Sequence, residues 1–338
     1  MVYYLGTQRL IELTTTVSLE YILLGIIQSM EEDFLNWQHF SLVPRHATFG
    51  EHGVIELMVV NNQKDYAFKY VNGHPNNTQQ QLLSVTGFGV LSQMENGYPT
   101  FISEMTLLTA MRTAATSALA AKYLAPNTNT MALIGTGAQS EFQAHAFRAL
   151  LGIDTLFIYD LDHQAMEKFI HNLEPQGFKI HPVNGIEAAI AHAPIITTCT
   201  THQGSKGLIE PQFLKPGQHY NAIGGDSPKK IELVASALDK ADIFVEFYDQ
   251  SAIEGEIKHC LQHPSITELW QVIQKKRPGR IHEQQITIFD SVGFALEDYS
   301  TLRYIYQLAK THDCLDHLDL IPDPIDDPKN LYQLLHPA

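Results

Sequence analysis

The chain is poor in cysteine, poor in positive charge and free of long apolar runs, and each shortage removes a class of protein. Its three cysteines, Cys199, Cys260 and Cys314, lie far apart, form no CxxC pair and are odd in number. Neither a zinc site nor a disulfide framework is indicated, and a reducing compartment fits. Only 22 Lys and Arg stand against 37 Asp and Glu, a formal net charge of −15. A nucleic-acid partner is not expected, because phosphate binding needs clustered cations. The 17 histidines are scattered and form no HExxH-type pair, so no metal is expected. The longest apolar run near the N-terminus, residues 21–27, is far too short to span a bilayer. The lead Met1-Val-Tyr-Tyr-Leu-Gly6 has neither a basic start nor a signal-like apolar block. The expectation is a soluble, cytoplasmic protein with no membrane partner. Internal repeats and low-complexity segments are absent too. What is present is a hydrophobic content of 44% with only 17% charged residues over 338 positions, enough to bury a large core, and a length that suggests two domains.

The most informative stretch is residues 131–140. Met131 to Ile134 is a short apolar run of the kind that forms a buried strand, broken at once by Gly135 and Gly137. Phe142, Ala146, Phe147 and Leu150 follow at helical spacing. Strand, glycine turn and helix make the first half of a nucleotide-binding βαβ unit. Gly135 allows the tight turn, and Gly137 lets the backbone approach a pyrophosphate held at the positive end of the helix. The third glycine of the fingerprint is missing, and Ser140 stands in its place. A second strand, 155–159, ends on Asp160, about 25 residues beyond Gly135, where a carboxylate accepts bonds from a ribose diol. With Asp160 there, and no arginine in Leu161-Asp162, NAD is expected rather than NADP.

Around this unit, strands are expected at 131–134, 155–159, 178–181, 194–198, 219–223, 242–246 and 286–289, with helices at 141–151, 163–173 and 185–193. The alternation implies an α/β fold with a Rossmann-type doubly wound parallel sheet over residues 126–293. Residues 1–125 and 294–338 are expected to form a discontinuous α+β substrate-binding and dimerisation domain. In it the pattern predicts a helix at 17–37, a hairpin of 54–60 with 66–71, a strand pair at 88–91 and 100–102, and hairpins rather than crossovers. An alanine-rich helix at 105–125, stopped by Pro126, bridges the two domains, and its small residues from Ala114 to Ala121 permit close packing. A helix at 294–310 is expected to pack back on the first domain, and the proline-rich tail to wrap the surface.

Four charged residues stand where charge is costly. Glu56 and Lys69 interrupt apolar strands, Arg112 is embedded among alanines and methionines, and Arg45 follows Val43 and Pro44. Two or three cations converging on one cleft would clamp a carboxylate. Each also has a plainer explanation as a solvated surface charge, and Met58 by its pattern belongs to the core. A second strong site is residues 221–230. There a strand ends, Gly224 and Gly225 free the backbone, Asp226 follows, and Ser227 and Pro228 open a helix expected to continue through Leu233. An acid in that position lies on the ligand side of a parallel sheet, or else caps the helix.

Four blocks together carry a resemblance. These are residues 69–75 (KYVNGHP), residues 103–116 (SEMTLLTAMRTAAT), residues 135–139 (GTGAQ), and Gly224-Gly-Asp226 with Lys230. Over nearly its whole length the chain resembles the ornithine cyclodeaminase/μ-crystallin family. The first block resembles the bacterial cyclodeaminase branch and differs from the μ-crystallin branch. The resemblance implies conversion of L-ornithine to L-proline and ammonia with catalytic NAD, and a homodimer formed through the first domain. It implies that Arg45, Lys69 and Arg112 hold the substrate carboxylate, with Met58 and Val292 facing the substrate. Glu56 would lie beside the reacting amine, and Asp226 would be the catalytic acid/base. The cofactor would touch Ser84, Arg112, Thr113, Gly135, Gly137, Ala138, Gln139, Asp160, Thr200, Gly224, Gly225, Asp226, Lys230 and Ser291. Ser84 stands where the family pattern has threonine, and the hydroxyl is kept. A lysine cyclodeaminase, an amino-acid dehydrogenase, a ketimine reductase and a small-molecule binding protein of the μ-crystallin kind are the alternatives.

Overall fold

The computed structural model describes residues 1–201, 206–225, 227, 230–260, 262, 266–322 and 327–336. In chain order the first strands are β1 (Val2–Leu5), β2 (Ser41–Leu42), β3 (His46–Phe49), β4 (Val54–Asn61), β5 (Asp65–Gly73), β6 (Val85–Gln93) and β7 (Pro99–Glu104). Then come β8 (Thr130–Ile134), β9 (Thr155–Tyr159), β10 (Lys179–Pro182), β11 (Ile195–Thr198), β12 (His219–Ala222), β13 (Asp242–Val245), β14 (Ile266–Glu268) and β15 (Thr287–Asp290), and last β16 (Asp316–Leu318). They form two sheets among the described residues. One is ordered β16-β1-β7-β6-β5-β4-β2, with β3 also on β4, and the other β10-β9-β8-β11-β12-β15-β13-β14.

The second sheet is parallel throughout, as the strand–helix alternation implied. From β8 the chain winds outward through β9 and β10, then crosses back to β11 and continues the other way. The switch point therefore lies between β8 and β11, and ligands of such sheets bind at that crevice, beyond the carboxyl ends of the strands. Buried runs such as Met131–Leu133 and His219–Ala222 explain why no polar alternation marks these strands.

The first sheet departs from the expected pattern of simple hairpins. β4, β5, β6 and β7 are antiparallel neighbours, but β1 lies parallel to β7 and is reached by a crossover. β1 was invisible as a strand because its four residues lie beside the chain start with no alternation to mark them. The helix expected at 17–37 forms as Leu19–Leu35, and an unexpected helix, Thr7–Val17, precedes it; the two meet at Ser18, where φ is +71° and the hydroxyl accepts the Tyr21 N–H at 3.3 Å.

On β4 and β5 one face points inward, with Glu56, Met58, Val60, Ala67, Lys69 and Val71 all buried. The helix Ala295–Thr311 lies against this face, as the 294–310 pattern implied: Asp298 meets Lys69, and Tyr299 accepts from Asn62 at 3.0 Å. The central helix Thr106–Leu124 is held at its start by Glu104, whose carboxylate accepts the N–H groups of Thr106, Leu107 and Leu108 at 3.0–3.2 Å. Its small face, Ala114, Ala115 and Ala118, is fully buried between the Leu19–Leu35 and Ser140–Leu151 helices.

An aromatic plug ties segments from both sheets together. Trp37 stacks on Trp270 at 5.5 Å between ring centroids and lies within 5.7 Å of Phe34 and Phe294 and 6.2 Å of Phe247. Phe34 is completely buried there. Phe34→Ala is expected to lower unfolding free energy by about 3–5 kcal/mol in chemical denaturation, and a loss below about 1 kcal/mol would show that the plug repacks without it.

Candidate active site

Residues 135–139, Asp160, Thr200, Gly224, Gly225 and Ser291 each follow the carboxyl end of a strand in the second sheet. After β8, Gly135 turns with φ +96°, and a Cβ there would lie 2.7 Å from the Cys199 carbonyl oxygen. Only glycine fits both constraints. Gly137 and Ala138 are exposed, and a Cβ on Gly137 would meet nothing within 4 Å, so the backbone is open to a ligand. Ser140, in place of the third glycine, is fully buried and donates its hydroxyl to the Gly137 carbonyl at 2.7 Å. It closes the turn with a bond instead of with a missing side chain. After β9, Asp160 accepts the Thr136 N–H at 2.6 Å and the Asp162 N–H at 3.0 Å, which fixes the acid at the lip of the crevice. Gln139 Oε1 is buried beside the helix start with no hydrogen-bond partner among the described residues. An open glycine turn at a helix N-terminus, an anchored acid and an orphaned amide oxygen fit a dinucleotide.

Across the switch point, Thr200 and Gly224 are organised by an acid that the sequence reading missed. Glu232, 1% exposed, accepts from Thr198 Oγ1 at 2.5 Å, Thr200 N at 2.8 Å, Thr200 Oγ1 at 2.7 Å and Gly224 N at 2.8 Å. Burial pushes its carboxyl above the usual range despite these donors. Beneath it Glu256 accepts the N–H groups of Glu232 and Leu233 at 2.7 and 3.1 Å, and Asp290 accepts that of Ile257 at 3.0 Å. Burial first, and Asp290 next, raise the Glu256 carboxyl to about 8, and burial raises Asp290 to about 7. The helix expected from Ser227 through Leu233 does not form among the described residues. Leu233 makes a parallel bridge to Ile209, because Glu256 takes the amides that a helix would have used. Gly225 is buried, and a Cβ there would lie 2.5 Å from Glu256 Oε1. Lys230 donates its N–H to Ser227 at 3.1 Å. Asp226 lies outside the described residues.

The charged constellation comes together on the other wall. Arg45 donates through Nη1 to Glu56 at 3.1–3.2 Å and through Nη2 to the Val292 carbonyl at 2.6 Å and to that of Gly293, and its Nε faces Glu254 at 3.4 Å. Lys69, with no exposed surface, donates to Asp298 Oδ1 at 2.7 Å. Arg112 reaches Glu297 Oε2 at 3.1 Å and Asp298 Oδ1 at 3.2 Å. The solvated-charge explanation of Glu56, Lys69 and Arg112 is thereby overturned, since all three are buried. Met58 is buried directly across from Lys69 in the β4–β5 register.

The turn Ser291–Val292–Gly293, after β15, joins the two walls. Glu246, fully buried at the end of β13, accepts the Ser291 hydroxyl and the N–H groups of Val292 and Gly293 at 3.1 and 2.6 Å. Burial, then Glu246, drives the Glu297 carboxyl well above the usual range, against the opposing pull of Arg112. Gly293 has φ +76°, and a Cβ there would come within 2.4 Å of Arg112 Nη1. Two expected cofactor residues lie apart from this turn. Thr113 donates to the Thr109 carbonyl on the central helix, and the Ser84 carbonyl accepts the His74 N–H at 2.8 Å just before β6. Glu232, Glu246, Glu297 and Asp298 were all missed. The criterion that found Glu56, an acid between apolar neighbours, would have found Glu232 between Ile231 and Leu233 and Glu246 between Val245 and Phe247.

A parallel sheet with an open glycine turn at its switch point, facing a buried cation cluster on a second sheet, defines a dinucleotide-dependent enzyme. The model of the ornithine cyclodeaminase/mu-crystallin family matches residues 7–313. An ornithine cyclodeaminase of Brucella suis biovar 1 (strain 1330) is 48% identical over 336 residues, covering 99% of this chain and 94% of its own. A lysine cyclodeaminase solved for its recognition of L-lysine, L-ornithine and L-2,4-diaminobutyric acid superposes with a TM-score of 0.87 at 25% identity, over 97% of this chain and 98% of that one. An archaeal alanine dehydrogenase dimer with bound NAD superposes with a TM-score of 0.85 at 27% identity, over 95% and 99%. The chain belongs to the ornithine cyclodeaminase/mu-crystallin family, as its sequence blocks implied.

Gly135→Ala is expected to weaken NAD binding by roughly 5- to 150-fold in a fluorescence titration, because a strained φ and a backbone clash cost about 1–3 kcal/mol at the turn. Unchanged affinity would mean that the turn relaxes without moving the phosphate-facing backbone.

Proposed function

We propose that this chain is an NAD-dependent ornithine cyclodeaminase, a lyase converting L-ornithine to L-proline and ammonia, and that it acts as a homodimer in the cytoplasm. The observation that carries the reading is the cluster of Arg45, Glu56, Lys69 and Arg112, brought together from four separate segments, with Arg45 and Arg112 lying against the turn that also borders the nucleotide crevice. Near-full-length identity to relatives of that name supports it. The outward face of β4 and β6, with Ile55, Leu57 and Phe88 each about two-fifths exposed, supports the dimer, since an apolar sheet face of this kind needs a cover. Residues 126–293 form the nucleotide domain in this reading, and the remainder binds substrate and the second subunit.

Bound NAD supplies a hydride acceptor and donor for the substrate Cα. The turn at Gly135, Gly137, Ala138 and Gln139 would hold its pyrophosphate, Asp160 its ribose, and Thr200, Gly224, Gly225, Asp226, Lys230 and Ser291 the rest, with Arg112 and Thr113 closing from the central helix and Ser84 from the segment before β6. Lys69 spends one of its three N–H donors on Asp298, so it can receive the substrate carboxylate together with Arg112. Arg45 already faces Glu56, Glu254 and two carbonyls, so a carboxylate takes it only by displacing one of these. Val292 and Met58 bound the substrate chain, and Glu56 stands by its amine. Held in this way, the δ-amine closes on the Cα iminium to form a five-membered ring, a step that proximity favours strongly. One carboxylate can accept the proton of the attacking amine and return it to the departing ammonia, and the family pattern places Asp226 in that role.

The test is an amino-acid panel assayed for ammonia, proline and net NADH. L-Ornithine should give ammonia and proline with no net NADH, whereas net NADH from any amino acid would point to a dehydrogenase. Asp226→Ala should retain NAD binding and lose about 10²–10⁴ in turnover, and a near-wild-type rate would move the acid/base role to Glu56. Arg112→Ala should raise KM as well as lower kcat, because a clamp acts in the ground and transition states alike. NADP should bind more weakly than NAD, and Asp160→Ser should narrow the gap. Equal binding by the unaltered protein would remove Asp160 as the discriminator.

A further inference from the structure

We propose that Asp298 is a positioning residue that joins Lys69 and Arg112 into a single two-cation clamp and keeps Lys69 charged when substrate binds. The inference rests on the reading that this pair receives the substrate carboxylate. Its geometry is unusual in one respect. A single oxygen, Asp298 Oδ1, accepts from Lys69 Nζ at 2.7 Å and lies 3.2 Å from Arg112 Nε. The side chains of Lys69, Asp298 and Arg112 are 0%, 3% and 9% exposed, so water does not share in these contacts. The spacing of the two cations is therefore set by one atom. The second oxygen, Oδ2, is buried with no hydrogen-bond partner among the described residues. An apolar replacement would satisfy that oxygen's surroundings better, so packing alone does not account for the acid.

Charge bookkeeping around Lys69 singles out the same residue. Across β4 its neighbour is Met58, and across β6 it is Gly89, so neither paired position offers an anion. Glu56, also on β4, faces Arg45, as does Glu254. From the central helix comes Arg112, a second cation. From the Ala295–Thr311 helix come Glu297 and Asp298. Glu297 pairs with Arg112 at 3.1 Å, and burial, then Glu246, push its carboxyl well above the usual range. Asp298 remains as the anion that faces Lys69. Burial, then Arg112 and then Arg45, pull the ammonium down to about 8, and Asp298 opposes them through its charge and its hydrogen bond. Lys69 is charged below that value and neutral above it. Carboxylate binding is thus present on the acid side and fades as pH rises through it.

The experiment is the pH dependence of KM and kcat for L-ornithine in the intact enzyme with saturating NAD. In Asp298→Asn, which keeps shape and removes charge, the alkaline rise in KM should move to lower pH by about one unit or more. At neutral pH KM should rise about tenfold while kcat changes less. Lys69→Arg, with Asp298 intact, should lose the alkaline rise, because a guanidinium does not deprotonate in this range. It provides the test if the asparagine variant fails to fold. An alkaline limb that stays in place in Asp298→Asn, with kcat/KM lowered equally at every pH, would reduce Asp298 to packing and overturn the inference while leaving the proposed reaction standing. A limb that persists in Lys69→Arg would overturn it as well. No ammonia from L-ornithine in the unaltered protein would overturn both the reaction and the inference built on it.

Discussion

Three cations buried in one place can exist only if anions are buried with them. Moving an unpaired guanidinium or ammonium out of water costs several kcal/mol even after relaxation. Here the compensating acids come from separate parts of the chain: Glu56 from β4, Glu254 from the segment after β13, and Glu297 and Asp298 from the helix that follows β15. That requirement gives a physical reason for the chain path. After completing the parallel sheet, the backbone turns at Gly293 and runs back across the first sheet, and the first turn of its helix delivers two carboxylates to Arg112 and Lys69. The return is an electrostatic necessity as much as a packing one.

Further buried acids connect the wall that carries the cations to the nucleotide crevice. Glu246 holds the turn 291–293 from the sheet side and Arg45 holds its carbonyls from the other. The turn cannot shift toward one wall without disturbing its contacts with the other. Across the switch point, Glu232 does the equivalent for Thr200 and Gly224. The crevice is thus lined by loops, yet its loops are pinned by buried carboxylates that accept two or more donors each, an arrangement that suits a site needing fixed geometry.

Much of this was legible before any coordinates. The parallel sheet was readable because buried strands and amphipathic helices alternate at regular spacing, and the glycine turn because Gly135 must adopt a positive φ. The cations were readable because charge on an apolar strand needs a reason, as at Lys69. What stayed hidden has a common cause. β1 and β16 are short strands at one end of the sheet whose partners lie far away in sequence, so no local period betrays them. The segment after Ser227 has the look of a helix start, and no local rule reveals that Glu256, more than twenty residues on, takes its amides. Which acid meets which cation is likewise a tertiary fact. Asp298 lies in a sequence whose spacing resembles any helix, and only the fold brings it to Lys69.

The threading of the chain also bears on the order in which the molecule is made. The parallel sheet is built from one contiguous stretch, β8 to β15, and can close as soon as that stretch has left the ribosome. The first sheet cannot. Its edge pairing of β1 with β16 joins residues at opposite ends of the chain, and Arg9 reaches Asp316 across 307 positions. Lys69 must wait for Asp298, 229 positions later. During synthesis the N-terminal strands therefore emerge first yet finish last, with a cation facing inward before its counter-ion exists. Such long-range closure is slow, and partly assembled sheets of this kind expose edges and apolar faces while they wait. The wall that carries the buried cations is consequently the late-maturing half of the molecule, and the parallel sheet can close before it.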